Sequence, residues 1–253
     1  MEEAAQIIKK RQADSYVAID LETTGLDPKQ DKIIEIGAVR VEQGSITTRW
    51  SSLVNPRREL LACTKELTGI TDLMVGQAPD LSDCFSELYG FIGDLPLLGH
   101  HIIFDYSFLK RAAVNQGLPF EREGIDTLPL CRRFMPPEEK KNLAAACRYY
   151  GIGQQEAHRA LADAISAHLL YEELRKQYGE TDPEAFSARP LIYKVKKEQP
   201  ASKRQKEVLR DLIKYHKINL TVQIDYLSRN EASRMTDKII SQYGRIKEVT
   251  IHV

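Results

Sequence analysis

Asp20 and Glu22 stand on either side of Leu21 and follow the apolar run Tyr16-Val17-Ala18-Ile19. That run is rich in residues that favour strands. On a strand, residues two apart point the same way, so the two carboxylates share one face at the strand's end. Held that close they repel and raise each other's pKa. A hard cation such as Mg²⁺, which prefers oxygen ligands, relieves the repulsion. Taken alone, the pair is better explained as a polar turn closed by Gly25. Three downstream residues bear on the choice. Asp105 follows the apolar stretch Leu97-Leu98-Gly99, and His158 precedes Asp163 by five positions. Asp105 by itself reads as a helix N-cap, His158 as a surface histidine and Asp163 as a first-turn acid favouring the helix dipole. Five helical residues turn about 500°, which would leave His158 and Asp163 roughly 140° apart. They converge only if His158 lies in the loop before the helix and Asp163 in its first turn. Gly151 and Gly153 upstream suit such a loop.

The elements that must position these groups can be read from pattern. Strands are expected at Tyr16–Asp20, Ile33–Glu42 and Ile46–Val54, joined by turns containing Gly25, Asp27-Pro28 and Gln43-Gly44. After Pro56 the period becomes helical, with Leu81, Cys84, Phe85, Leu88 and Phe91-Ile92 on one face. Leu97–His100 reads as a buried strand, and Ile125–Thr127 as a short one. Phe104–Gln116, Asn142–Tyr150 and Ala160–Tyr178 read as helices closed by Gly117, Gly151 and Gly179. An antiparallel start followed by alternating helices and short strands predicts an α/β mixed sheet flanked by helices.

In this order the motifs resemble those of a known family. Asp20-Leu21-Glu22-Thr23-Thr24-Gly25, then Phe104-Asp105, then His158 with Asp163, is similar to the three-motif signature of the DEDDh 3′→5′ exonucleases. That family includes the epsilon (DnaQ-like) proofreading subunit of bacterial DNA polymerase III and ribonuclease T. The resemblance covers about residues 15–178. Ile33-Ile34-Glu35-Ile36-Gly37, Leu67-Thr68-Gly69-Ile70-Thr71, Asp126-Thr127 and Asn142-Leu143 agree with it. It implies an RNase H-like fold. It also implies two divalent ions, Mg²⁺ or Mn²⁺, held by Asp20, Glu22, Asp105 and Asp163, with His158 as general base. The expected reaction is phosphodiester hydrolysis from the 3′ end, releasing nucleoside 5′-monophosphates. Two cations suit it because charge builds on both the attacking and the leaving oxygen. An imidazole suits the base because it titrates near neutral pH. The resemblance further places Thr23 against the terminal nucleotide and Leu67, Gly69 and Ile70 as a wall for the last base. Core packing is the competing reading for Leu67 and Ile70. His101 stands where many family members carry Asn, which alters the expected substrate contact there. His100 and His101, read as neighbours on a strand, face opposite ways and make poor zinc co-ligands.

The 253 residues, 42% hydrophobic and 28% charged, are ordinary for a soluble protein. There is no apolar run long enough for a membrane span, so no membrane partner is expected. The N-terminus opens acidic without a signal-peptide core, and cytoplasmic localisation is the expectation. Cys63, Cys84, Cys131 and Cys147 form no Cys-x-x-Cys pair and read as reduced thiols. The net charge of zero hides an asymmetry. Residues 190–253 carry 14 Lys/Arg against 7 Asp/Glu, so the remainder is net acidic. The expected organisation is a lead-in at 1–14, an exonuclease domain at 15–178, a linker at 179–200 and a basic helical module at 201–253. Val208, Leu212 and Tyr215, then Ala232, Met235 and Ile239, have helical spacing, and Ser228 with Glu231 forms a capping box. The expected partner is nucleic acid with a free 3′ end, DNA foremost. A DNA polymerase or another replication or repair protein is a candidate partner for the module. The competing function is an adaptor that binds nucleic acid or polymerase, with the nuclease fold secondary.

Overall fold

A computed structural model describes residues 12–153 and 158–246, so the lead-in expected at 1–14 falls almost wholly outside the described residues. The chain forms two compact units. The first contains residues up to Pro56 and Leu60–Val195, and the second contains Arg57–Glu59 and the chain from Lys196.

The first unit is built on a six-stranded mixed sheet. Its strands are β1 (Tyr16–Thr23), β2 (Ile33–Glu42), β3 (Ser45–Leu53), β4 (Leu97–Gly99), β5 (Glu123–Asp126) and β6 (Arg189–Pro190). The spatial order is β3-β2-β1-β4-β5-β6. β1, β2 and β3 form an antiparallel meander, β4 and β5 run parallel to β1, and β6 is antiparallel to β5. The expected mixed sheet flanked by helices is therefore present. The helices are α1 (Ala62–Thr68), α2 (Asp72–Gly76), α3 (Leu81–Ile92), α4 (Ile102–Gln116), α5 (Thr127–Phe134), α6 (Leu143–Tyr149) and α7 (Ala160–Tyr178).

Alternation along β1 sorts the two layers. Val17, Ile19 and Leu21 pack with Phe85, Leu88 and Ile92 of α3 and Ile102, Tyr106 and Leu109 of α4. Tyr16 and Ala18 pack on the other side with Leu130 of α5, Cys147 of α6 and Leu170, Tyr171 and Leu174 of α7. Each Val, Leu, Ile or Phe among them, fully buried, contributes about 1.5–3 kcal/mol. Asp20 and Glu22 continue the second row, so the face that is apolar at Tyr16 and Ala18 becomes acidic as the strand leaves the core.

The stretch 179–195, expected as linker, contributes to this first unit. Phe186 is fully buried, and its ring lies 5.8 Å from that of Phe134. Arg189–Pro190 adds the edge strand. Its prolines suggested an open linker, but proline is tolerated at a sheet edge.

The second unit centres on α8 (Lys203–His216) and α9 (Arg229–Tyr243). The capping box expected at Ser228 and Glu231 is present, and Ser202 with Gln205 makes a second. Leu209, Leu212, Ala232 and Ile239 form the core with Ala201 and Leu227. Val208 and Tyr215, expected on the apolar face, are exposed instead, because Leu209 takes the inward position one residue on. Arg58 pairs with Glu231 at 3.2 Å, and the Arg57 guanidinium lies 4.4 Å from the Tyr226 ring centroid.

Candidate active site

The register of β1 on β2 sets the site. Asp20 lies opposite Gly37 and Glu22 opposite Glu35, and a bulge follows between Glu22 and Thr23. Residues directly opposite in an antiparallel pair project to the same side. The side chain missing at Gly37 therefore leaves room beside Asp20. The start of α7 fills it: a Cβ at 37 would stand 2.0 Å from the Leu161 nitrogen and 2.2 Å from the Ala160 carbonyl carbon. This close approach lets Asp163, in the first turn of α7, reach the carboxylates of β1. Gly37→Ala is accordingly expected to push α7 off β2. It should cost about 1–3 kcal/mol of stability by urea titration and lower activity with it. An unchanged urea midpoint would contradict the close-approach account.

Asp105 arrives from the other layer. It lies in the first turn of α4, not at its N-cap. It is buried, and its Oδ1 accepts the Leu21 N–H at 3.1 Å. The N-cap is His101, in left-handed backbone at φ 72°. Its N–H donates to Asp126 Oδ1 at 2.8 Å, and the same oxygen accepts the Leu128 N–H at 3.0 Å. β4 ends at Gly99, so His100 and His101 are not strand neighbours as expected. The His100 ring is held by Thr127 Oγ1 at 2.9 Å and the Lys141 carbonyl at 2.7 Å. The His101 side chain remains exposed.

His158 precedes α7, as its spacing from Asp163 required. It adopts φ 66°, and its N–H donates to Asp163 Oδ2 at 3.1 Å. One ligand atom from each of Glu22, His158 and Asp163 lies within 4.8 Å of the other two, an arrangement that can hold a metal ion.

The site's electrostatics agree with that capacity. Burial, then the charges of Asp105, Asp163, Glu22 and Glu35, push Asp20 well above the usual carboxylate range. Burial likewise raises Asp105, although the N–H of Leu21 opposes it. Glu22 is pushed up to about 7 by burial and by the Asp163 and Glu35 carboxylates, with Arg159 offsetting part of the rise. Burial raises Asp163, against the His158 N–H. Carboxylates gathered this way without a cation favour holding protons; a divalent ion can replace those protons, and the carboxylates offer it oxygen donors. A raised carboxylate pKa stabilises the fold below the group's ordinary value of 4.5, and this contribution fades as pH rises through about 7. In EDTA the melting temperature should therefore fall between about pH 5 and about pH 8, and Glu22→Gln should flatten that slope. Mg²⁺ should raise the melting temperature most at the alkaline end. A melting temperature in EDTA that climbs over this range would contradict the assignment.

The four residues expected at the 3′ end divide. Leu67 is 57% exposed on α1 and free to meet a base, and Gly69 ends that helix at φ 69° with open space beside it. Ile70 does not join them. It is 0% exposed and packs with Ile34, Leu60 and Val75, so burial in this small cluster removes it from any base-contacting wall. The Thr23 hydroxyl donates to the Gly25 carbonyl at 2.7 Å, within its own turn.

Sequence reasoning missed Glu35, Gly37 and Arg159 as contributors. All three lie inside or beside the quoted motifs, but nothing local marks their meeting. Arg159 grips Glu35 across 124 positions, Nη2 to Oε1 at 2.7 Å.

Comparison with known proteins adds an independent line. The sequence model of the RNase T exonuclease family matches residues 17–171. A DNA polymerase III PolC-type from Clostridium perfringens is 35% identical over 170 residues, 67% of this chain and 12% of that protein. The Bacillus subtilis PolC-type polymerase is 39% identical over 166 residues, 64% of this chain and again 12% of the relative. The chain thus spans about an eighth of these curated relatives. Among solved structures, an exonuclease X in complex with 5′-overhanging duplex DNA superposes with a TM-score of 0.52 at 28% identity, covering 65% of this chain and 93% of that one. An Escherichia coli exonuclease I bound to a dA16 oligonucleotide gives 0.59 at 16% identity, over 68% of this chain and 42% of that one. Both likenesses support the fold, which is RNase H-like.

Proposed function

Because this chain belongs to the RNase T exonuclease family, we propose that it is a 3′→5′ exonuclease. It would hydrolyse the terminal phosphodiester of DNA, or of RNA, and release nucleoside 5′-monophosphates. The observation that carries this reading is the convergence of Asp20, Glu22, Asp105, Asp163 and His158 at one end of the sheet, from β1, α4, α7 and the residues before α7.

Asp20, Glu22, Asp105 and Asp163 would hold two Mg²⁺ or Mn²⁺ ions. When bound, such ions polarise the phosphate and spread the charge of the pentavalent transition state. His158 would take the proton of the attacking water, a role supported by its exposure and its nearness to Glu22 and Asp163. The water oxygen forms a bond to phosphorus as the bond from phosphorus to the 3′ oxygen breaks, and that oxygen leaves with a proton from solvent. Leu67 would meet the last base. Stacking or apolar contact of that kind is sequence-tolerant and suits a nuclease that works from an end. His101 would contact the substrate near the first turn of α4.

The module at 201–253 is proposed to serve partner binding, either nucleic acid or a polymerase. Its excess of Lys and Arg supports the former. Among the described residues no helix is long and apolar enough to cross a membrane, and a cytoplasmic location fits the proposed role.

The test is a time course on 5′-labelled single-stranded DNA and RNA of one sequence, with Mg²⁺, Mn²⁺ or EDTA. The expected result is a metal-dependent ladder shortening from the 3′ end. Label that stays full-length in every lane, with binding intact by gel shift, would overturn the exonuclease and favour the adaptor.

A further inference from the structure

The segment carrying His158 is fastened to β2 by one buried carboxylate. Glu35 is 4% exposed. Its oxygens accept Arg159 Nε at 3.1 and 3.2 Å, Arg159 Nη2 at 2.7 Å and the Ala160 N–H at 3.0 Å. Arg159 is the N-cap residue of α7, yet its own side chain caps nothing. Glu35 does that work from another strand. It satisfies a first-turn amide and puts negative charge at the positive end of the helix. On either side of this anchor lie the two groups that matter. His158 precedes it in left-handed backbone, and its N–H bonds Asp163 Oδ2 at 3.1 Å. The Asp163 N–H in turn bonds the Arg159 carbonyl at 3.0 Å. Glu35 also stands directly across from Glu22 in the β1–β2 register. Two carboxylates paired this way repel, and the guanidinium held on Glu35 supplies the compensating charge.

We propose that the Glu35–Arg159 ion pair is a positioning device for the reaction, fixing His158 and Asp163 against Glu22. The proposal rests on the reading of His158 as the base. Arg159 acts through its neighbours: its fork is occupied by Glu35, and a bidentate guanidinium–carboxylate pair defines direction as well as distance. Lysine, a point charge, cannot reproduce that geometry. The competing role is direct contact between Arg159, whose side chain is 40% exposed, and a substrate phosphate.

The experiment uses the full chain with Arg159→Ala, Arg159→Lys, Glu35→Gln and the double variant Glu35→Gln/Arg159→Ala. Steady-state kcat and KM are measured on labelled single-stranded DNA, Mn²⁺ affinity by electron paramagnetic resonance and folding by circular dichroism. Partners that orient metal ligands typically contribute 10- to 100-fold in activity or affinity. Arg159→Ala is therefore expected to lower kcat about 10- to 100-fold at nearly constant KM, and to weaken Mn²⁺ binding roughly 10-fold. Arg159→Lys should recover part of both losses, and the double variant should be no worse than the weaker single one. Glu35→Gln keeps an oxygen for the Ala160 N–H and so remains informative if Arg159→Ala does not fold. A raised KM with unchanged kcat and Mn²⁺ affinity would make Arg159 a substrate contact and overturn the proposal. Unchanged kinetics in all variants would overturn it as well. A wild-type chain that produces no metal-dependent ladder would instead overturn the exonuclease reading on which the proposal stands.

Discussion

Asp20→Asn should cut turnover by roughly 10³-fold or more and yet stabilise the metal-free protein. The first effect follows from the charge that bound cations bring to the transition state, worth several kcal/mol, where each 1.36 kcal/mol is tenfold in rate. Asp20 lies at the centre of the cluster: Asp105, Asp163, Glu22 and Glu35 all act on it. An amide keeps the shape but supplies neither the charge nor the second strong oxygen donor. The second effect has the opposite sign because, without metal, Asp20 must either ionise as a buried like charge among carboxylates or hold a proton against alkaline solvent, and asparagine does neither. Removing the carboxylate relieves that cost, so Asp20→Asn in EDTA should melt higher than wild type at about pH 8. Adding Mg²⁺ should narrow or invert the gap, since the wild type gains more from the ion. Paired melts with and without EDTA, alongside the ladder assay, test both halves. A variant that is inactive but also less stable in EDTA would show that Asp20 acts as a structural hydrogen-bonding group and not as a metal ligand.

The second large effect is expected at His158. A positioned general base typically contributes 10²–10⁴-fold, and His158→Asn should lose about that much in kcat with little change in KM. Asparagine is the informative substitution. His158 holds φ 66°, a region asparagine tolerates better than most residues. The bond to Asp163 is made by the backbone N–H and so survives. The imidazole is exposed, which leaves little packing to lose. The melting temperature should accordingly stay close to wild type while turnover collapses. Retention of more than about a tenth of wild-type kcat would remove His158 from the role of base.

Much of the site was legible in the chain itself. Asp20 and Glu22 two apart on a strand, and His158 and Asp163 five apart across a helix start, are local facts governed by the periods of strand and helix. Their types name the chemistry, because hard cations want oxygen and a neutral-pH base wants imidazole. The strand at Ile33–Glu42 and the helix at Ala160–Tyr178 emerged with the expected bounds, since each runs up to a defined stop, Gln43-Gly44 and Gly179.

Only the tertiary structure decided what lay between distant segments. Burial of Ile70 and exposure of Leu67 could not be separated by sequence, as both are apolar and only packing against Ile34, Leu60 and Val75 distinguishes them. Phe186 and Arg189–Pro190 looked like linker because prolines and charges dominate their surroundings, but one buried aromatic and one sheet edge hold them in the first unit. Glu35, Gly37 and Arg159 acquire their roles from the register of β1 on β2 and from the approach of α7 to β2, the latter bridging more than a hundred residues. Residue types and short spacings therefore determined which groups could meet a cation, and the family resemblance they carry supplied the expected reaction. The distances between β1, β2 and α7, set by long-range packing that no local pattern encodes, decided how the reacting groups are held.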